Sequence, residues 1–124
     1  MPKPSYSCVI VDDQSDFIEQ IVEYIQEYGN LEVVKTFTNS TDVVESLEEL
    51  PEIDFLFLDI EMPSLDGIRL AKIIRNNINN LIFISAYPKY AIDAFGVSAN
   101  GFLPKPVSYQ KFKNLLDSLI LKMA

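Results

Sequence analysis

Five short apolar runs constrain this chain more than any other feature: Tyr6–Val11, Val33–Phe37, Phe55–Leu58, Leu81–Ser85 and Phe102–Leu103. Several are continuous rather than alternating, which is how strands covered on both faces of a parallel sheet read. Segments with helical spacing separate them. The first places Phe17, Ile18, Ile21, Val22, Tyr24, Ile25 and Tyr28 on one side, with Gly29 as its stop. The second is expected over Ser40–Leu50 with Pro51 as its stop, and the third over Leu65–Asn77. A short fourth has Pro88 in its first turn and closes at Gly96, and a fifth starts near Ser108. Strand–helix alternation repeated in this way implies right-handed crossovers and a doubly wound parallel sheet with helices on both faces.

The chain has 124 residues, 48% of them apolar, which suits one domain with a real core, residues 1–124. No apolar run approaches the roughly 20 residues of a membrane span, and Met1–Ser7 has no apolar signal-peptide region. The lone Cys8 sits among Val9, Ile10 and Val11 and reads as a buried hydrophobe, so a cytoplasmic setting is expected. There is no histidine, which removes Ser-His-Asp triads and imidazole metal sites. Any metal must be held by oxygen, which points to Mg²⁺ or Ca²⁺. A net charge of −8 argues against direct nucleic-acid binding by this segment.

Ligands of an open parallel sheet bind beyond the carboxyl ends of its strands. The polar residues found there are Asp12 and Asp13 after the first run, Asp59 after the third, Ser85 at the end of the fourth and Lys105 after the fifth. Each alone has an ordinary structural explanation, as a helix cap, a loop hydroxyl or a surface lysine. Together they make a coherent site. Clustered carboxylates repel one another, a hard divalent cation relieves that repulsion, and a lysine opposite can hold a phosphoryl oxygen. A carboxylate can itself act as the nucleophile and form an aspartyl phosphate.

The ordered set Val9-Ile10-Val11-Asp12-Asp13, Phe57-Leu58-Asp59-Ile60-Glu61-Met62-Pro63, Asp66-Gly67, Ile84-Ser85-Ala86 and Lys105-Pro106 resembles the receiver domains of bacterial response regulators over essentially the whole chain. That resemblance implies a flavodoxin-like (βα)5 fold with strand order 2-1-3-4-5. It implies Asp59 as phosphoacceptor, with Asp13 and Asp59 ligating Mg²⁺, Asp12 reaching it mainly through water, and Glu61 contributing its backbone carbonyl, which leaves its side chain free to tune access of water. Ser85 and Lys105 would contact the phosphoryl group, Phe102 matches the aromatic switch position, and the Lys105–Pro106 bond would be cis. The implied function is a phosphorylation-dependent signalling switch that serves a sensor histidine kinase or phosphotransfer protein and controls an output domain or partner, with transcription as the expected output. It would act as no enzyme beyond its own phosphoryl transfer and autodephosphorylation. A homodimer through the helix 4–strand 5–helix 5 face is implied for the phosphorylated form.

The stretch Ala86-Tyr87-Pro88-Lys89-Tyr90-Ala91-Ile92-Asp93-Ala94-Phe95, with Val97, Ala99 and Phe102, looks like receivers of the LytTR type, which precede a LytTR DNA-binding domain in a longer regulator. Gly101 stands where that type usually has an acid, and Pro104 where it has an aliphatic residue. Gly101 is expected to loosen the backbone beside Phe102, and Pro104 fits an edge strand.

Three other functions are weaker. In a phosphatase of the haloacid-dehalogenase kind, an Asp-x-Asp motif would follow the first strand, whereas Asp59-Ile60-Glu61 follows the third. A pure interaction module would not need the full set of acids with Ser85 and Lys105. A flavin-binding flavodoxin would need a Ser/Thr/Gly-rich phosphate loop after the first strand.

Charge is also uneven: residues 1–62 carry 15 of the 18 acids and two of the 10 bases. Glu19, Glu23 and Glu27 recur every four residues, a like-charge stripe that costs a few tenths of a kcal/mol per pair on a helix. The expectation is that Lys111, Lys113 and Lys122 of helix five partly neutralise it, with the remainder facing a basic partner or solvent.

Overall fold

The computed structural model describes residues 5–46, 48–62 and 66–123. Pro63 and Leu65, named above in a motif and as a helix start, lie outside them. Five parallel strands, β1 (Tyr6–Val11), β2 (Leu31–Phe37), β3 (Ile53–Asp59), β4 (Ile78–Ser85) and β5 (Gly101–Pro104), form one sheet in the order β2-β1-β3-β4-β5. The helices are α1 (Ser15–Tyr28), α2 (Ser40–Glu45), α3 (Gly67–Ile74), α4 (Ala91–Gly96) and α5 (Tyr109–Met123).

The continuous apolar runs are explained by two cores, one on each face. Val9 and Val11, Leu56 and Leu58, and Leu81 and Phe83 point to one side, against Val43 of α2, Leu70, Ala71 and Ile74 of α3, and Ala94 of α4. Their strand neighbours Cys8 and Ile10, Phe55 and Phe57, and Ile82 and Ile84 point to the other, against Ile18, Ile21 and Ile25 of α1 and Phe112, Leu116 and Leu119 of α5. Phe112 is fully buried and stacks on Phe57 with ring centroids 5.6 Å apart. Each such side chain contributes about 1.5–3 kcal/mol by leaving water. Cys8 is one of these packing residues: burial first, and the Asp54 charge second, push its thiol up to about 12.

The edge strands behave differently from the centre. β2 leaves Val34, Lys35 and Thr36 exposed, and Pro104 is exposed on β5, the opposite edge, where a missing N–H costs no rung. A Cβ on Gly101 would come within 2.7 Å of Cδ2 of Leu115, so glycine here lets α5 pack closely on the edge strand.

Two helices are shorter than their spacing suggests. α2 ends at Glu45, and hydrogen-bonded turns carry the chain on, with the Leu50 N–H donating to the Ser46 carbonyl at 3.1 Å. α3 starts after Asp66, whose Oδ1 accepts from the Arg69 N–H at 2.9 Å, and tightens into a 3-10 turn over Arg75–Asn77. A similar turn over Pro88–Tyr90 leads into α4.

The expected neutralisation between α1 and α5 is not found. Among the described residues no ion pair joins the two helices. Lys113 pairs instead with Asp117 of its own helix, at 2.6 Å. The helices meet through aromatic packing and through the Tyr28 hydroxyl, which donates to Oδ1 of Asp117 at 2.7 Å. Glu19, Glu23 and Glu27 remain exposed. Among the described residues no helix is long and apolar enough to cross a membrane.

Candidate functional site

Parallel pairing brings the carboxyl ends of all five strands to one edge, and it carries the polar residues there with them. Asp12 follows β1, Asp59 ends β3, Ser85 ends β4 and Lys105 follows β5. Asp59 is in register with Ile84, and Ser85 with Pro104. Backbone bonds extend the rungs past the strands: Ile60 N–H donates to the Ile84 carbonyl at 3.1 Å and Lys105 N–H to the Ser85 carbonyl at 2.8 Å. The Lys105–Pro106 peptide bond is cis.

Carboxylate oxygens of Asp12, Asp13 and Asp59 all lie within 4.8 Å of one another. Asp13 is exposed, whereas Asp12 and Asp59 are only 1% and 2% exposed. Burial disfavours the ionised forms of both, and each is further raised by a neighbouring carboxylate, Asp13 for Asp12 and Asp12 for Asp59. Asp59 is pushed up to about 8. Oδ1 of Asp12 accepts the Gln14 N–H at 2.8 Å. Its Oδ2 is enclosed, and its one partner among the described residues is the Lys105 ammonium, 3.0 Å away. Three carboxylates this close, an all-oxygen donor set with a single ammonium to offset them, fit a hard divalent cation.

Lys105 is the counter-charge. Its ammonium also lies 3.9 Å from Oδ1 of Asp59, donates to Oε1 of Gln14 at 3.2 Å and sits 4.5 Å from the centroid of Phe17. The sequence marks Phe17 only as part of the apolar side of α1 and does not mark Gln14; their position just after Asp12-Asp13 is the available signal. Gly67 was noted only as part of Asp66-Gly67. A Cβ there would lie 2.2 Å from the backbone oxygen of Asp59, so no side chain can be accommodated without moving the phosphoacceptor candidate.

Ser85 is fully buried, and its hydroxyl donates to Oε1 of Glu61. The Glu61 side chain is therefore engaged within the site. Oγ of Ser85 also accepts the Tyr87 N–H at 2.9 Å, which ties it to the loop before α4. Phe102 stands apart from this cluster. It is half-buried against the α4-side core and lines a hollow of about 230 Å³ with Ala91, Ala94, Phe95 and Ala99.

The chain belongs to the response regulator receiver domain family, whose pattern matches residues 8–117. Within that family it is similar to the transcriptional regulatory protein YpdB of Escherichia coli, 32% identical over 113 residues, which cover 90% of this chain and 46% of that protein. It is also 31% identical over 113 residues to protein MrkE of Klebsiella pneumoniae, covering 42% of that protein. The chain thus spans about half the length of the curated relatives it matches. Among solved structures it resembles the response regulatory domain of MrkE, with a TM-score of 0.86, 30% identity and 94% and 96% of the two chains covered. A chain of the CheX-CheY-BeF3-Mg²⁺ complex of Borrelia burgdorferi gives a TM-score of 0.80 at 26% identity, with 92% and 88% covered.

The raised Asp59 carboxyl makes stability depend on pH. Its folded-state value, about 8, lies above the unfolded value of about 3.9, so the folded chain binds the proton more tightly. Its contribution is full below the unfolded value and is lost as pH rises through the folded one. Without divalent metal, Asp59→Asn should be the more stable chain in urea unfolding at about pH 8, with a gap that shrinks towards about pH 4. Parallel pH profiles for the two chains would contradict this.

Proposed function

We propose that this receiver domain is a phosphorylation switch whose phosphoacceptor is Asp59. The observation that carries this is the convergence of Asp12, Asp13, Asp59 and Lys105 at one strand edge. A carboxylate oxygen of Asp59 attacks the phosphorus of a phosphohistidine or acyl phosphate. The new P–O bond forms as the bond to the donor nitrogen or oxygen breaks, and the donor leaves with that electron pair. Lys105 would hold a phosphoryl oxygen by its charge, and Ser85 would donate to another once its hydroxyl leaves Glu61. Asp12, Asp13 and Asp59, with the Glu61 backbone carbonyl, would hold Mg²⁺. When bound, it supplies the positive charge that offsets the carboxylates and the incoming phosphoryl group. Hydrolysis of the aspartyl phosphate resets the chain, and no turnover of other substrates is assigned to it.

The phosphodonor is a sensor histidine kinase or phosphotransfer protein. The stripe Glu19, Glu23 and Glu27, exposed and unmet by α5, suits a basic docking face on that partner. The output is transcriptional and of the LytTR type. This rests on the resemblance of residues 86–106 to LytTR-type receivers and on similarity to a transcriptional regulator about twice as long. Acetyl phosphate with Mg²⁺ should add one acid-stable, base-labile phosphoryl group to the wild type and none to Asp59→Asn, as read by intact mass. The variant Glu19→Gln/Glu23→Gln/Glu27→Gln should label normally with acetyl phosphate but slow in transfer from its kinase. Equal labelling of wild type and Asp59→Asn would refute the phosphoacceptor assignment.

The readout is a second copy paired through α4, β5 and α5. Ile92 and Phe95 on α4 are 80% and 77% exposed, and Leu121 on α5 is 77% exposed, an apolar set that a partner would cover. Phe102 borders this face, so a shift at Ser85 can reach it through the hollow beneath α4. Light scattering should show beryllofluoride with Mg²⁺ driving dimer formation, weakened in Phe102→Ala. A mass that stays monomeric with beryllofluoride bound would exclude this readout.

A further inference from the structure

A hydroxyl has a single proton to donate. That of Ser85 has two acceptors, the Glu61 carboxylate, which is the nearer, and the Tyr87 carbonyl at 3.3 Å, and Ser85 has no exposed surface through which water could take over the bond to Glu61. Glu61 itself is well placed to keep hold of it. Its backbone N–H donates to Oδ1 of Asp59 at 3.3 Å, so the residue is anchored beside the phosphoacceptor while its carboxylate spans the gap to Ser85. A carboxylate acceptor makes a stronger bond than a neutral one.

We propose that Glu61 is a positioning residue that latches Ser85 in the resting receiver, so that the hydroxyl reaches a phosphoryl group on Asp59 only after the Glu61–Ser85 bond opens. This rests on the receiver function argued above. Phosphorylation itself opens the latch, because the phosphoryl oxygens compete for the same proton and repel the Glu61 carboxylate. The consequence passes outward through Ser85. Its Oγ holds the Tyr87 N–H, and Tyr87 begins the segment in which Lys89 Nζ packs 5.7 and 5.3 Å from the ring centroids of Tyr87 and Tyr90, just before α4. Glu61 therefore sets how readily the loop leading to α4 leaves its resting position.

Beryllofluoride with Mg²⁺ serves as the phosphoryl probe, and affinity is read from the backbone amide signals of Ser85 and Tyr87 in the whole chain. Glu61→Met should bind the probe about ten-fold more tightly, the scale of one hydrogen bond to a charged acceptor. Glu61→Gln loses the charge but keeps an acceptor for Ser85, and should stay closer to wild type than Glu61→Met. In a Ser85→Ala background the gain from Glu61→Met should vanish. A wild type that binds no beryllofluoride overturns the receiver function, and the latch with it. If the wild type binds, the latch alone is overturned by any of three results: no gain in Glu61→Met, a Gln variant equal to Met, or a gain that persists without the Ser85 hydroxyl.

Discussion

Burial of the apolar strands between two layers of helices is the constraint on which the rest of the structure depends, and the mutual repulsion of Asp12, Asp13 and Asp59 is its consequence. Carboxylates within 4.8 Å of one another, two of them buried, would not assemble for their own sake. The sheet imposes the arrangement. β1 and β3 are adjacent, paired from Cys8–Phe55 to Val11–Leu58, and covered by helices on both faces. The apolar side chains along these strands supply the favourable free energy, and the acids are carried to the strand ends as a consequence. Lys105 reduces the repulsion only in part. Its one ammonium faces Asp12 at 3.0 Å and Asp59 at 3.9 Å, and Oδ2 of Asp12 has no other partner among the described residues.

The fold was legible because its signal is simple. A strand buried on both faces has to be apolar at every position, as Phe55–Leu58 and Leu81–Ile84 are, and no other element in a chain of this length gives that pattern so often. The strand order was not a matter of periodicity; it followed from the family resemblance, as did the cis bond at Pro106. Helix ends were less legible. The apolar spacing of Ile73 and Ile74 continues a helix on paper, but Arg75 turns into a 3-10 segment whose guanidinium donates to the Ile78 and Ser98 carbonyls. Such contacts depend on what lies across the fold, not on local order.

The same distinction runs through the site. Residues that end strands could be gathered from the sequence, because register alone places them. Contacts that depend on side-chain direction could not. Nothing in the order Asp59-Ile60-Glu61 tells that the glutamate turns inward to Ser85, 24 residues away. Nor does the sequence show that Gln14 and Phe17 flank Lys105. The acidic stripe on α1 is a further case: helices α1 and α5 do share a sheet face, yet Lys113 has a nearer acid at Asp117 on its own helix. Nor does the sequence show that Gly101 makes room for Leu115.

The central claim is that these carboxylates form a cation-dependent site whose repulsion is intrinsic to the folded state. Thermal unfolding of the whole chain in EDTA and in millimolar Mg²⁺ tests it most directly, because a ligand that binds only the folded form must raise its midpoint. The account predicts a rise for the wild type that is largely lost in Asp13→Asn and in Asp59→Asn. A midpoint indifferent to Mg²⁺, or raised equally in all three chains, would contradict it.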